Sequence, residues 1–170
     1  MTRGFARILV PTDFSPPCEA ALATAGALAT QFGADIHLIH VLEDPYTTAA
    51  YASDVSNDVP SGLRESWRKE AQAQLNALLD PPKDVQFRVI TGVMFGSPAR
   101  AIVNYARDYA INLIVMGTHG RSGFAHLLLG SVTERVVRTA ECPVLTIRET
   151  AAALASLNKE GRISSPLSPR

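Results

Sequence analysis

Apolar residues recur along the chain in two alternating rhythms. Short runs rich in β-branched residues, "ARILVP", "DIHLIHVL", "NLIVM" and "CPVLTIR", carry the signature of strands buried on both faces. Longer stretches between them repeat apolar positions at helical spacing. In "SPPCEAALATAGALATQFG", Ser15 stands where a cap belongs, Pro16 suits a first helical position and Gly33 supplies the stop. Leu22, Ala25, Leu28, Ala29 and Phe32 share its inner face. A second helix is expected from Ser61 to Leu79, with Leu63, Trp67, Ala71, Leu75 and Leu78 inward. The break "PPKD" precedes a strand in "VQFRVITG". Ser97 and Pro98 repeat the helix start, followed by inward Ala99, Ile102, Val103 and Ala106, and a short last helix is marked by Val132, Val136, Val137 and Ala140. Between Glu43 and Pro60 no apolar period is visible.

Strands alternating with helices imply parallel pairing through right-handed crossovers, hence an α/β fold with helices on both faces of an open sheet. A chain of 170 residues suits a single core. We expect one domain over residues 1–148, and a flexible tail over 149–170, where Ser, Pro and Gly dominate the last part.

Charge narrows the partners: sixteen basic residues balance sixteen acidic ones, so no overall field draws nucleic acid or an anionic membrane, and an anionic ligand must be held locally. Cys18 and Cys142 fit no CxxC pattern and read as buried free thiols. "FARILVP" is too short an apolar run for a secretory leader, and no later run approaches a membrane span, which points to a soluble cytoplasmic protein.

The chemistry concentrates in "GTHGRSGFAHLLLGS", from Gly117 to Ser131, which leaves the carboxyl edge of the fourth strand. In doubly wound sheets ligands sit at that edge, where strand order reverses. Gly117 and Gly120 can take positive φ and let backbone approach a ligand; Gly130 and Ser131 precede a helix whose first N–H groups favour an anion, phosphate above all. The spacing is neither a Walker loop, there being no lysine between Lys83 and Lys159, nor a GxGxxG turn.

The spacing Gly117-xx-Gly120-x9-Gly130-Ser131, with "VPTDFS" before it and "SVTERVVRTAECPVLTIR" at its end, resembles the nucleotide-binding branch of the universal stress protein family over about residues 4 to 148. The resemblance implies a Rossmann-like fold of the adenine nucleotide alpha-hydrolase type, with five parallel strands in the order 3-2-1-4-5, and a homodimer. It implies ATP, AMP or ADP as ligand, with Mg accompanying it. Pro11, Thr12 and Asp13 would then line the adenine and ribose side, and Val41 would offer backbone contacts to the base. Met116 and Gly117 would bracket the ribose. His119 and Gly120 would lie along the phosphates, and Gly130, Ser131 and Val132 would bind their oxygens. On that strand order the fifth strand, Pro143 to Arg148, is an apolar edge that pairing with a second copy would cover.

Each residue also has a plainer reading. Asp13 can satisfy loop amides after the first strand. Ser131 and Glu134 match a capping box. Arg121, the one cationic side chain of the loop, can pair with phosphate or face solvent. His37 and His40 make a poor metal pair without carboxylates at ligand spacing, and His126 reads as loop surface. Phe124 and Leu127 to Leu129 form an apolar cluster that calls for packing against the domain or a partner. Two functional classes remain: a nucleotide-binding regulatory module of the stress response, which needs only the pocket, and a slow ATP hydrolase or adenylyl-transfer enzyme, for which Asp13 and Arg121 are thin provision. A phospho-receiver is excluded, since the third strand ends "VITGVMFG" and the fifth "TIRET", without the aspartate and lysine such a switch needs.

Overall fold

The computed structural model describes residues 4–43, 61–79, 87–118 and 129–148. The segment 44–60 and the tail 149–170 named above lie outside them. In chain order the described elements are β1 (Arg7–Thr12), α1 (Pro16–Phe32), β2 (Asp35–Leu42), α2 (Ser61–Leu78), β3 (Val89–Phe95), α3 (Pro98–Asp108), β4 (Leu113–Gly117), α4 (Ser131–Thr139) and β5 (Val144–Ile147). The strands form one parallel sheet in the order β3-β2-β1-β4-β5.

Alternation along the strands divides the core into two layers. Ile8 and Val10 of β1, Ile36 and Leu38 of β2 and Leu113 and Val115 of β4 face α1 and α2, meeting Ala21, Ala25, Ala71 and Leu75. Leu9, Ile39, Ile114 and Met116 face α3 and α4, meeting Ala99, Ile102, Tyr105 and Val136. Both layers are predominantly apolar because the central strands are apolar on both sides, as a parallel sheet between helices requires, with His37 the polar exception on β2.

Helix α1 ends as its sequence dictates: Gly33 takes the left-handed conformation at φ 65° and its N–H bonds the Ala29 carbonyl. Phe32, expected inside, is 43% exposed and meets Phe5 edge-on with ring centroids 5.5 Å apart. Leu63, also expected inside, is likewise exposed on the first turn of α2. Strand β3 begins at Val89 and runs on to Phe95, later than "VQFRVITG" suggested, with Gly92 paired opposite Ile39 instead of ending the strand. Its outward edge is covered from α2, where Arg68 donates to the Val93 carbonyl at 3.4 Å and Gln72 to the Thr91 hydroxyl at 2.9 Å. Cys18 is buried and free; Cys142, also free, is only half-buried.

Candidate functional site

The chain leaves β1 toward β2 on one side, while β4 lies on the other, so the carboxyl ends of β1 and β4 flank the reversal of strand order. At the end of β1, Pro11 and Thr12 are buried, and the Thr12 hydroxyl oxygen accepts the Phe14 N–H at 3.0 Å. Asp13 Oδ1 accepts the Ser15 N–H at 3.1 Å, the Cys18 thiol at 3.1 Å and the Ser15 hydroxyl. The plainer reading of Asp13 is thus realised: its carboxylate organises the turn into α1. Ser15 keeps its place before the helix but spends its hydroxyl on Asp13, so its side chain does not cap α1. Ser97 makes no side-chain cap on α3 either. Burial pushes the Cys18 thiol up from its ordinary value, keeping it a protonated donor to Asp13.

At the end of β4, Met116 packs its side chain into the core beside Ile114 and Val136, leaving only its main chain at the edge. Gly117 is extended strand rather than a positive-φ turn; what its missing side chain allows is the approach of Pro17. Two bonds then fix where α4 starts. Gly130 donates its N–H to the Thr118 carbonyl at 2.7 Å, and the buried Thr133 hydroxyl donates to the Gly117 carbonyl at 2.9 Å. The intrahelical ladder begins with the Glu134 N–H on the Gly130 carbonyl at 2.8 Å. The amides of Ser131, Val132 and Thr133 therefore precede the ladder, at the positive end of the helix dipole. Gly130, not Ser131, occupies the cap position, and Glu134 pairs with Arg138 at 3.5 Å. The capping box expected between Ser131 and Glu134 is absent because the helix starts one residue earlier in phase than that motif demands.

Val41 is half-buried at the end of β2, with its backbone in register with Met94 and its side chain toward α3 and α4. His119, Gly120 and Arg121 lie outside the described residues, as do Phe124, His126, Leu127 and Leu128. His37 and His40, three apart on one strand, point to opposite faces and cannot share an ion. His37 is buried with its Nδ1 2.9 Å from the Tyr105 hydroxyl, and His40 Nδ1 is 2.7 Å from the Thr12 carbonyl. Among the described residues no group of three or more His, Cys, Asp or Glu could hold a metal. The sequence reading missed Thr133, whose only signal was a hydroxyl on the apolar stripe of a short helix, and Pro17, which had none.

The fold and this edge define an open, doubly wound α/β domain with a helix start presented at the switch point between its two halves. Residues 4–148 match the family model described as "Universal stress protein family", and the chain belongs to that family. It is 30% identical over 154 residues to Universal stress protein MJ0577 of Methanocaldococcus jannaschii, covering 85% of this chain and 95% of that one. The solved structure of MJ0577 superposes with a TM-score of 0.73, covering 86% of this chain and 98% of that one. A universal stress protein solved in complex with cAMP shares the fold at 24% identity and a TM-score of 0.55, covering 85% of this chain and 98% of that one. Another, from Archaeoglobus fulgidus in complex with dAMP, shares it at 20% identity and a TM-score of 0.57, with coverages of 85% and 98%.

Proposed function

We propose that this protein binds an adenine nucleotide, ATP, across the carboxyl ends of β1 and β4, and serves as a nucleotide-dependent regulatory module of the stress response. Pro11, Thr12, Asp13 and the Val41 main chain take the adenosine side, with Met116 and Gly117 beside the ribose. His119, Gly120 and Arg121 follow the phosphates, and Gly130, Ser131 and Val132 hold their oxygens, with Mg accompanying them. The observation that carries this reading is the pinned start of α4: three backbone amides without intrahelical acceptors, held at the crevice by the Gly130 to Thr118 and Thr133 to Gly117 bonds. The adenine nucleotides of the two related complexes supply the chemical class. We further propose a cytoplasmic homodimer joined along β5, with residues 1–148 as its folded unit.

ATP should bind in the micromolar range or more weakly and raise the melting temperature by mass action, by about 2.7 kcal/mol of stabilisation at a hundredfold excess over Kd. Gly130 has extended backbone, φ −66° and ψ 152°, which any residue can adopt. Gly130→Leu should therefore fold normally and lose the ATP-induced shift. A shift of wild-type size in that variant would move the phosphate site elsewhere, and several turnovers per minute with equimolar ATP would make the protein an enzyme instead.

A further inference from the structure

His40 stands on β2 beside the turn that carries Asp13. The Thr12 carbonyl 2.7 Å from its Nδ1 can only accept, so Nδ1 bears the proton and, in the neutral ring, Nε2 bears the lone pair. The same ring packs on Phe14, with centroids 4.5 Å apart and planes tilted by 42°. Phe14 has φ 64°, a left-handed backbone that a bulky L residue keeps only where its surroundings over-determine it. Thr12, Asp13 and Phe14 are consecutive. His40 thus grips the peptide before Asp13 through a hydrogen bond and the residue after it through a ring contact, while Ser15 and Cys18 hold the carboxylate itself.

We infer that His40 is a positioning residue of the nucleotide site, fixing the Thr12 to Phe14 backbone so that the adenosine side of the crevice is formed before ligand arrives. This rests on the nucleotide reading above. Pre-organisation lowers the ordering cost of binding, so its loss falls on affinity. A histidine that merely filled a crevice would instead affect the unliganded fold.

The test is calorimetric titration of the full chain with ATP, alongside melting without nucleotide, for three variants. His40→Phe keeps a ring against Phe14 and removes the donor; His40→Asn returns an N–H close to the Nδ1 position; Phe14→Asn removes the ring while tolerating the left-handed backbone. His40→Phe should weaken ATP binding about tenfold, the worth of a hydrogen bond at this edge, with little change in the unliganded melting temperature. His40→Asn should recover most of that loss, and His40→Phe combined with Phe14→Asn should be non-additive in affinity. Nitrogen NMR of the wild type should show the Nδ1–H form. Wild-type affinity in His40→Phe, or failure of His40→Asn to recover any, overturns the inference while leaving the nucleotide reading intact. Should His40→Phe fail to fold, the asparagine variant and the NMR tautomer decide. If the wild type itself binds no adenine nucleotide, the proposed function falls and the inference falls with it.

Discussion

Gly117 and Pro17 approach so closely that a Cβ on the glycine would stand 2.8 Å from the proline Cβ and 3.0 Å from its carbonyl carbon. The end of β4 is thereby seated on the first turn of α1, directly after the turn organised by Asp13. The two sides of the crevice are one packed unit. Gly117→Ala must displace one backbone or the other, and we expect a loss of about 1–3 kcal/mol, the usual cost of overpacking. At roughly 2–4 °C per kcal/mol for a chain of this size, thermal melting will register it. ATP affinity should fall in the same variant. Stability equal to wild type in denaturant titration would mean that the two backbones stand farther apart.

Thr133→Val keeps shape and burial but withdraws the donor from the Gly117 carbonyl. We expect about 1–3 kcal/mol of destabilisation from the stranded acceptor, together with weaker phosphate binding because the start of α4 is no longer pinned. Thr133→Ser, which retains the hydroxyl, should restore both. Equal behaviour of the valine and serine variants in urea unfolding and ATP titration would count against the bond.

Desolvation by burial lowers the pKa of His37 from its ordinary value of 6.5, with Arg7 and Arg88 acting in the same sense and Asp35 against it. Burial raises that of its partner Tyr105, which stays protonated. The sign follows from proton counting: below the ordinary histidine value the unfolded chain binds a proton that the folded chain resists, so this contribution is present above pH 6.5 and is lost as the pH falls. Wild-type stability by denaturant unfolding should therefore decline between pH 7.5 and pH 5, and the double variant His37→Leu with Tyr105→Phe should decline less. Parallel profiles for the two proteins would assign acid sensitivity to other groups.

Leu145 on the outer strand β5 is 37% exposed, and Val137, one of the valines that mark α4, is 45% exposed. Apolar surface beside the outer edge of a strand, which among the described residues pairs with β4 alone, is the feature that a second copy would bury. Sedimentation velocity at micromolar concentration should give a dimer, and Leu145→Lys should shift it toward monomer with the fold retained. A wild-type monomer under those conditions removes β5 as the interface.

The open parallel sheet with helices on both faces was legible because central strands between helices must be apolar on both faces, as β1, β2 and β4 are; the strand order came from the family resemblance, since apolar runs alone do not say which strands are neighbours. Boundaries and facing were harder where one contact outweighs the pattern. Gly92 looked like a strand end but fits between neighbours, since a Cβ there would be 3.7 Å from Ile39 Cγ2. Tyr105 was not among the inner residues expected of α3, yet it is buried, with its hydroxyl 2.9 Å from His37 Nδ1. Thr133 is turned inward by the Gly117 carbonyl, and Val137 outward. At the proposed site, the spacing of Gly117, Gly130 and Ser131 was enough to anticipate a strand end followed by a helix start, which the structure places at Gly117 and Gly130. The caps at Ser15 and Ser131 were misjudged because capping is a competition: Asp13 takes the hydroxyl of the first, and Gly130 takes the position of the second.

The two margins of the sheet are unequally dressed. On β3 the register turns the Val93 carbonyl away from β2, and Arg68 occupies it, with Gln72 beside it on Thr91. No such cover lies over β5 among the described residues. Were two copies to pair along β5 through a two-fold, as proposed, neither would keep a bare margin among its described residues for a third, and growth into a ribbon or fibre would stop at its first step.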